Sequence, residues 1–232
     1  MKEKTYLTTL SELHKTDKNT WHNYIVHYEY HLQQFRNRKI KLLEIGIGGY
    51  DNPKAGGESL RMWKDYFKLA EIFGIDIYDK SELNEERITT YQGSQTDENF
   101  LNHITTEHEF DVIIDDGSHV CSDIIKTFKI LFPKLKSGGI YVIEDLQTSY
   151  WSNFGGDSLN LNNANTSMNF LKSLTDCLNH QEIVNPNYTE TYFDKNIVSI
   201  HFYHNLVFIY KGNNDEVSWL VNNHKFLDTV KF

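Results

Sequence analysis

Two short apolar runs, Val112–Ile114 and Ile140–Ile143, break off abruptly on acids, the first on Asp115-Asp116-Gly117-Ser118-His119 and the second on Glu144-Asp145. Apolar runs of this length bounded by turn signals read as buried strands. Between them Ile124, Ile125, Phe128, Leu131 and Phe132 fall at helical spacing, and the pattern closes at Pro133 and Gly138-Gly139. A strand–helix–strand unit of this kind predicts two parallel strands. If they are neighbours, their ends lie only about 5 Å apart. Both acidic clusters then share the carboxyl edge of one sheet, where open α/β folds bind their ligands.

The rest of the chain extends the same pattern. Trp21, Tyr24, Ile25, Tyr28, Leu32 and Phe35 form one stripe over residues 20–36, which predicts a helix capped by Thr20 and packed by its aromatic face. Thr16, Asp17, Lys18 and the hydroxyls of Tyr24 and Tyr28 are close enough in sequence to that helix to reach a ligand. Ile40–Ile45 reads as a strand that runs into Gly46-Ile47-Gly48-Gly49, with a helix opened by Ser59 beyond it. Glycine between a strand and a helix lets backbone approach a ligand closely. Phe73–Ile77 is a second strand, carrying Asp76 at its tip, where an acid can accept both ribose hydroxyls of a nucleotide. Ile88–Tyr91 is a third, followed by a turn with Gln95 and a helix near 98–106. The alternation through residue 145 predicts a doubly wound, mainly parallel α/β sheet. A polar stretch, 146–165, is too long for an ordinary connection and reads as a lid or binding loop. A helix near 167–179 follows, then an antiparallel hairpin within 196–212 turning at His204-Asn205. The tail, 215–232, is weakly amphipathic.

Size and charge restrict the function. The 232 residues suit a single domain, a helical segment 1–39 leading into a sheet domain 40–232. A net charge of −9 argues against nucleic-acid and anionic-membrane partners. The two cysteines, Cys121 and Cys177, form no framework, and the polar start resembles no signal peptide, so a cytoplasmic protein is expected. Assembly into a homo-oligomer is left open by the sequence.

The stretches "LLEIGIGGYDNPKAGGESLRMWKDYF", "GIDIYDKS", "IIDDGSH" and "GGIYVIEDLQTSYW" resemble the class I S-adenosylmethionine-dependent methyltransferases. Within these, the chain is most similar to the magnesium-dependent sugar O-methyltransferases of the mycinamicin and macrocin type. The resemblance implies that Glu44, Gly46 and Gly48 line the methionine part of S-adenosylmethionine, that Asp76 holds its ribose, that Gln95 lies near the adenine and that Asp115 closes the cofactor side. It implies Asp116, Glu144 and Asp145 as ligands of Mg2+ and His119 as the catalytic base. Larger relatives carry a domain before the core, where this chain has only residues 1–39. A compact acceptor, such as a sugar of a surface polysaccharide or a nucleotide sugar, is therefore expected.

Three carboxylates at adjacent strand ends fit a cation on physical grounds as well. Two of them at 4 Å repel by about 4 kcal/mol at an effective dielectric near 20, so protonation or a counter-ion must relieve them. Hard oxygen ligands favour magnesium. Consecutive Glu144 and Asp145 can share one ion only if the strand stops near Ile143, because strand neighbours face opposite sides. Solvated acids capping the next helices are the plainer alternative. His119, with Ser118 as N-cap, is expected at a helix start that disfavours imidazolium. Tyr150 and Trp151 suit either a sugar-stacking surface or the core. Two other functions compete: an NAD-dependent oxidoreductase, disfavoured by Gly-Ile-Gly-Gly and the closing hairpin, and a cofactor-binding subunit without catalysis.

Overall fold

The computed structural model describes residues 4–20 and 22–218. Trp21 and most of the tail read as weakly amphipathic lie outside the described residues. Seven strands, β1 (Lys41–Ile45), β2 (Glu71–Asp76), β3 (Ile88–Gln92), β4 (Val112–Asp115), β5 (Ile140–Ile143), β6 (Ile197–Tyr203) and β7 (Leu206–Lys211), form one sheet in the order β3-β2-β1-β4-β5-β7-β6. The first five are parallel, while β7 runs antiparallel to β5 and to β6. This is the expected doubly wound sheet with its closing hairpin, which turns at His204-Asn205 with Asn205 in the left-handed region.

Alternation along the strands sorts the core into two layers. Leu42, Ile72, Val112, Ile140 and Phe208 face α1 (Tyr6–His14), α2 (Ile25–Leu32) and α3 (Glu58–Tyr66). Leu43, Phe73, Ile113, Tyr141 and Ile209 face α4 (Glu98–Glu107), α5 (Cys121–Leu131) and α6 (Ser167–Ser173). Side chains such as Leu42, Trp63 and Phe208 are fully enclosed, each worth ~1.5–3 kcal/mol of burial. A short α7 (Tyr192–Asn196), closed by a capping box between Thr191 and Asp194, leads into β6.

Several boundaries differ from the sequence reading. Thr20 does not cap α2; it closes a 3-10 turn over Asp17–Asn19, and the helix starts only at Ile25. The turn's own cap is Thr16, whose hydroxyl accepts from Lys18 N–H. The α3 cap is Gly57, in the left-handed region, rather than Ser59. Residues 146–165, read as a lid or binding loop, stay out of the two cavities at the sheet edge. They coil through two 3-10 turns and are tied down by Asp157, which accepts from Leu159, Asn160 and Asn163. Ser149 and Ser167 hydroxyls then fasten the coil to α6 at 2.6 Å. No helix among the described residues is long and apolar enough to cross a membrane.

Candidate active site

Strand register builds the site. Ile45 pairs with Asp115, and Asp115 with Ile143, so the next residues of the three strands, Gly46, Asp116 and Glu144, stand side by side. The backbone continues the ladder one step further, with Asp116 N–H donating to Ile45 O and Glu144 N–H to Asp115 O, both at 3.0 Å. The chain crosses in opposite directions from β1 and β4, which makes this edge the topological switch point of the sheet.

Gly46 and Gly48 have φ of 88° and 80°. A Cβ on Gly46 would lie 2.0 Å from Asp116 O, so the turn after β1 can pass β4 only as glycine. Gly48 meets nothing closer than 3.9 Å and leaves space at the cavity wall. Asp76 fixes this turn, accepting from Ile47 N–H through Oδ2 and from Tyr78 N–H through Oδ1. A cavity of about 500 Å³ runs from Gly46, Gly48, Asp76 and Ser59 to Asp116, His119 and Asp145. A second, about 300 Å³, shares Gly46, Asp76 and Gly117 with it and continues past Ser94, Gln95 and Ser118.

Not every expected residue reaches these cavities. Glu44 is fully buried beneath the glycine turn, its Oε2 accepting from Trp63 Nε1 at 2.9 Å, and it lines neither cavity. Asp115 is also enclosed; Oδ1 accepts from Gln95 Nε2 at 3.2 Å, while buried Oδ2 has no partner. Burial pushes its pKa up to about 7. Gln95 touches the smaller cavity, but its amide is already engaged by Asp115, Thr127 and Ser118. Glu44 and Asp115 thus lie behind the cavity walls, while Gln95 stands at the wall of the smaller cavity with Asp76. None of 146–165 lines either cavity, and Tyr150 and Trp151 lie on the surface, outside the core.

The acids divide into two groups. The strand does end at Ile143, and Asp145 takes φ 54°, which turns its carboxylate into the cavity while Glu144 stays inside at 2% exposure. Glu144 Oε1 accepts from Lys18 Nζ at 2.7 Å and Tyr28 hydroxyl at 2.5 Å. Lys18 also donates to Asp116 Oδ2 at 2.8 Å and lies 3.2 Å from Glu44 Oε1. Burial works against the Lys18 ammonium, yet the charges of Asp116, Glu144 and Glu44 outweigh it and hold its pKa well above the usual value. Burial in turn raises Asp116, Glu144 and Glu44, which Lys18 only partly offsets.

The second group is Asp116, His119 and Asp145, whose nearest ligand atoms lie within 4.8 Å of one another. Glu144 is not among them. His119 Nε2 is 3.8 Å from Asp145 Oδ2, and Tyr24 hydroxyl donates to Asp145 Oδ1 at 2.8 Å. His119 has φ 57° and stands before Val120, which caps α5. Ser118 is thus not the cap; its hydroxyl accepts from Val120 N–H and donates to Asp123. Asp145 is the partner that the structure gives the His119 ring, in place of the first helical turn. Asp116 and Asp145 bring carboxylate oxygens to one cavity, donors that fit a hard divalent cation.

The sheet order and this cavity define a chain with the fold of the class I S-adenosylmethionine-dependent methyltransferases. The resemblance to the sugar O-methyltransferases of the mycinamicin and macrocin type is borne out by the relatives that it matches. No family model matches the chain. It is 46% identical over 213 residues to mycinamicin VI 2''-O-methyltransferase of Micromonospora griseorubida, which covers 90% of this chain and 53% of the relative. Demethylmacrocin O-methyltransferase of Streptomyces fradiae is 45% identical over 213 residues, 90% of this chain and 54% of the relative. The solved structure of MycE, a methyltransferase of mycinamicin biosynthesis in complex with Mg and SAH, superposes with a TM-score of 0.89 at 45% identity. That match covers 94% of this chain and 58% of the other. The chain spans about half the length of the curated relatives it matches.

Proposed function

We propose that the chain is an S-adenosylmethionine-dependent, magnesium-assisted O-methyltransferase whose acceptor is a hydroxyl on the sugar of a glycosylated small molecule or surface polysaccharide. One observation carries this reading: a single cavity is lined by the Gly46–Gly48 turn and Asp76 and also by Asp116, His119 and Asp145. A methyl donor and an acceptor hydroxyl need such an arrangement, with donor grip and acid–base machinery facing one space. The relatives' names point the same way. Their acceptors include mycinamicin VI and a rhamnosyl tetracenomycin C, different scaffolds whose shared feature in a rhamnosyl-type acceptor is a sugar hydroxyl.

When bound, S-adenosylmethionine supplies the methyl group and the cation polarises the acceptor hydroxyl. Asp76 keeps lone pairs on both oxygens for the ribose while its backbone contacts fix its orientation. Gly46 and Gly48 leave the backbone bare where the methionine part would lie. Asp116 and Asp145 would hold the cation. Glu144 could add to that set only through Oε2, since Oε1 serves Lys18 and Tyr28. His119 Nε2, 3.8 Å from Asp145 Oδ2, would take the acceptor's proton.

Nothing in the site favours the NAD reading, and the hairpin β6–β7 closes the sheet where a further parallel strand would stand. A calorimetric panel of S-adenosylmethionine, its demethylated product and NAD, each with and without magnesium, tests the cofactor. Transfer of labelled methyl to glycosylated acceptors tests the reaction. Binding of NAD alone, or no transfer to any sugar hydroxyl, would overturn the proposal.

A further inference from the structure

Away from the acidic edge, Lys80 is buried like a core residue. It follows β2, is 1% exposed, and leads into a 3-10 turn over Ser81–Leu83. Its ammonium meets backbone. Nζ donates to Asn52 O at 2.8 Å and to Ala55 O at 3.1 Å, both in the loop between β1 and α3. The lysine's own carbonyl accepts from Thr90 Oγ1 of β3 at 2.9 Å, which anchors it on strands separate from the loop that it holds.

That loop walls the cavity where the methyl donor would lie. Gly48, Gly49 and Tyr50 line it, with φ of 80°, 74° and 47°. Three successive left-handed residues, the last carrying a side chain, persist only where the surroundings fix them. The loop doubles back at this point: a Cβ on Gly49 would lie 2.2 Å from Ala55 O, so the wall rests on a carbonyl that Lys80 binds. On the other arm, Asp76 accepts from Ile47 N–H at 2.9 Å. The end of β2 and the turn after it thus grip the loop twice. Asp76 does so from inside the cavity and Lys80 from outside it.

We infer that Lys80 is a positioning residue for the methyl donor: it clamps the loop 48–57 in the shape that receives the methionine part of S-adenosylmethionine, without touching the cofactor. This rests on the S-adenosylmethionine reading given above. A lysine suits the task because its ammonium carries three donors on a long stem and can serve two carbonyls at once. Hydrogen bonds from a charged donor are also stronger than those from a neutral one. Without the ammonium, Asn52 O and Ala55 O lose that donor, and a buried carbonyl left without one is costly. The loop would relax, and Gly48 and Gly49 would leave their places opposite Asp76.

The test compares the parent with Lys80→Met, shown by circular dichroism to be folded. Calorimetry should give S-adenosylmethionine binding at least about tenfold weaker in the variant, with magnesium binding unchanged. Trypsin supplies a readout that needs no cofactor. Lys54, its side chain 76% exposed, directly precedes Ala55. Release of the clamp should speed cleavage between them at least about tenfold, while the melting temperature moves little. If Lys80→Met does not fold, Lys80→Gln, which keeps a shorter polar side chain, is read in the same way. Unchanged S-adenosylmethionine affinity, or an equal loss of magnesium and S-adenosylmethionine binding, overturns the inference. A parent that binds no S-adenosylmethionine sinks the cofactor reading by itself; the clamp then stands if cleavage after Lys54 is faster in the variant and falls if it is not.

Discussion

His119 and Asp145 face each other across the cavity with Nε2 and Oδ2 3.8 Å apart, and both hold left-handed backbone angles, φ 57° and 54°. A non-glycine residue in that region costs on the order of 1 kcal/mol or more. Two such residues in contact, one from the turn after β4 and one from the turn after β5, put strain where the proposed chemistry lies.

The base should be separable from the scaffold. His119→Ala is expected to lower turnover by about 10²–10⁴-fold with magnesium and S-adenosylmethionine affinity nearly unchanged. Parental turnover in the variant would move the base elsewhere.

Asp145→Asn tests the same pair from the other side. Asn tolerates the left-handed region, so the melting temperature should stay near that of the parent. Magnesium affinity should fall at least about tenfold, because a charged ligand is lost. A variant that binds magnesium as the parent does removes Asp145 from the cation site.

Asp76→Ala should weaken S-adenosylmethionine binding at least about tenfold, since charge-assisted hydrogen bonds are worth roughly 1.5–3 kcal/mol. It also releases Ile47 N–H from its acceptor. Calorimetry that gives unchanged affinity would dissociate β2's tip from the cofactor.

Chelation should abolish methyl transfer and magnesium should restore it, with S-adenosylmethionine binding retained throughout, because the glycine turn and Asp76 offer the cofactor backbone and a carboxylate other than the cation's. Full turnover in chelator would leave the acids without the proposed role.

Away from the site, His31 predicts a pH dependence of stability. It is buried on α2 with Nδ1 2.6 Å from Tyr210 hydroxyl and Nε2 2.9 Å from Tyr203 hydroxyl. Burial, aided by neighbouring His201 and His27, lowers its pKa to about 4. The folded state therefore binds this proton more weakly than the unfolded chain, whose histidine titrates near 6.5. The contribution is fully present above about pH 6.5 and is lost as pH falls through about 4, up to roughly 3 kcal/mol. Denaturant melts across that range should show the loss, and His31→Gln, which bonds without titrating, should flatten it. An unaltered pH slope in the variant would place the dependence on other groups.

Much of the scaffold was legible because its signals are local. Val112–Ile114 and Ile140–Ile143 are apolar runs, and the structure has strands there with only an end residue changed. Asp116, His119 and Asp145 could be placed together because each follows a strand whose register the crossover fixes. Helix starts were less legible. Thr20 and Ser118 are good capping residues by type, but Tyr24 and Val120 hold those places with no side-chain capping bond, which composition does not encode. The helix α1 lies in a start that reads as merely polar, although Leu7 and Leu10 bury a narrow face. Glu44 and Glu144 were assigned to ligands through the family resemblance, and the structure buries both. Their partner, Lys18, carries no local pattern at all. Thr16, Asp17 and Lys18 were noted as able to reach a ligand, and all three line the cavity, but three-way burial of one of them has no signature in spacing.

The Lys18 contacts tie the site to the order in which the chain closes on itself. The partners Asp116 and Glu144 are 98 and 126 residues away along the chain, and Tyr24 reaches Asp145 across 121. Contacts of such separation close long loops, and pairing over long sequence distances slows folding. A sheet already assembled from β1 to β5 would present its carboxylates at one edge before the first helices dock, with their mutual repulsion unrelieved. Docking of α2 and the turn before it delivers the missing positive charge, so completion of the fold and completion of the catalytic edge become one cooperative event. Partly folded chains would then lack the arranged acids, and cation uptake would report on the final step of folding as well as on the site.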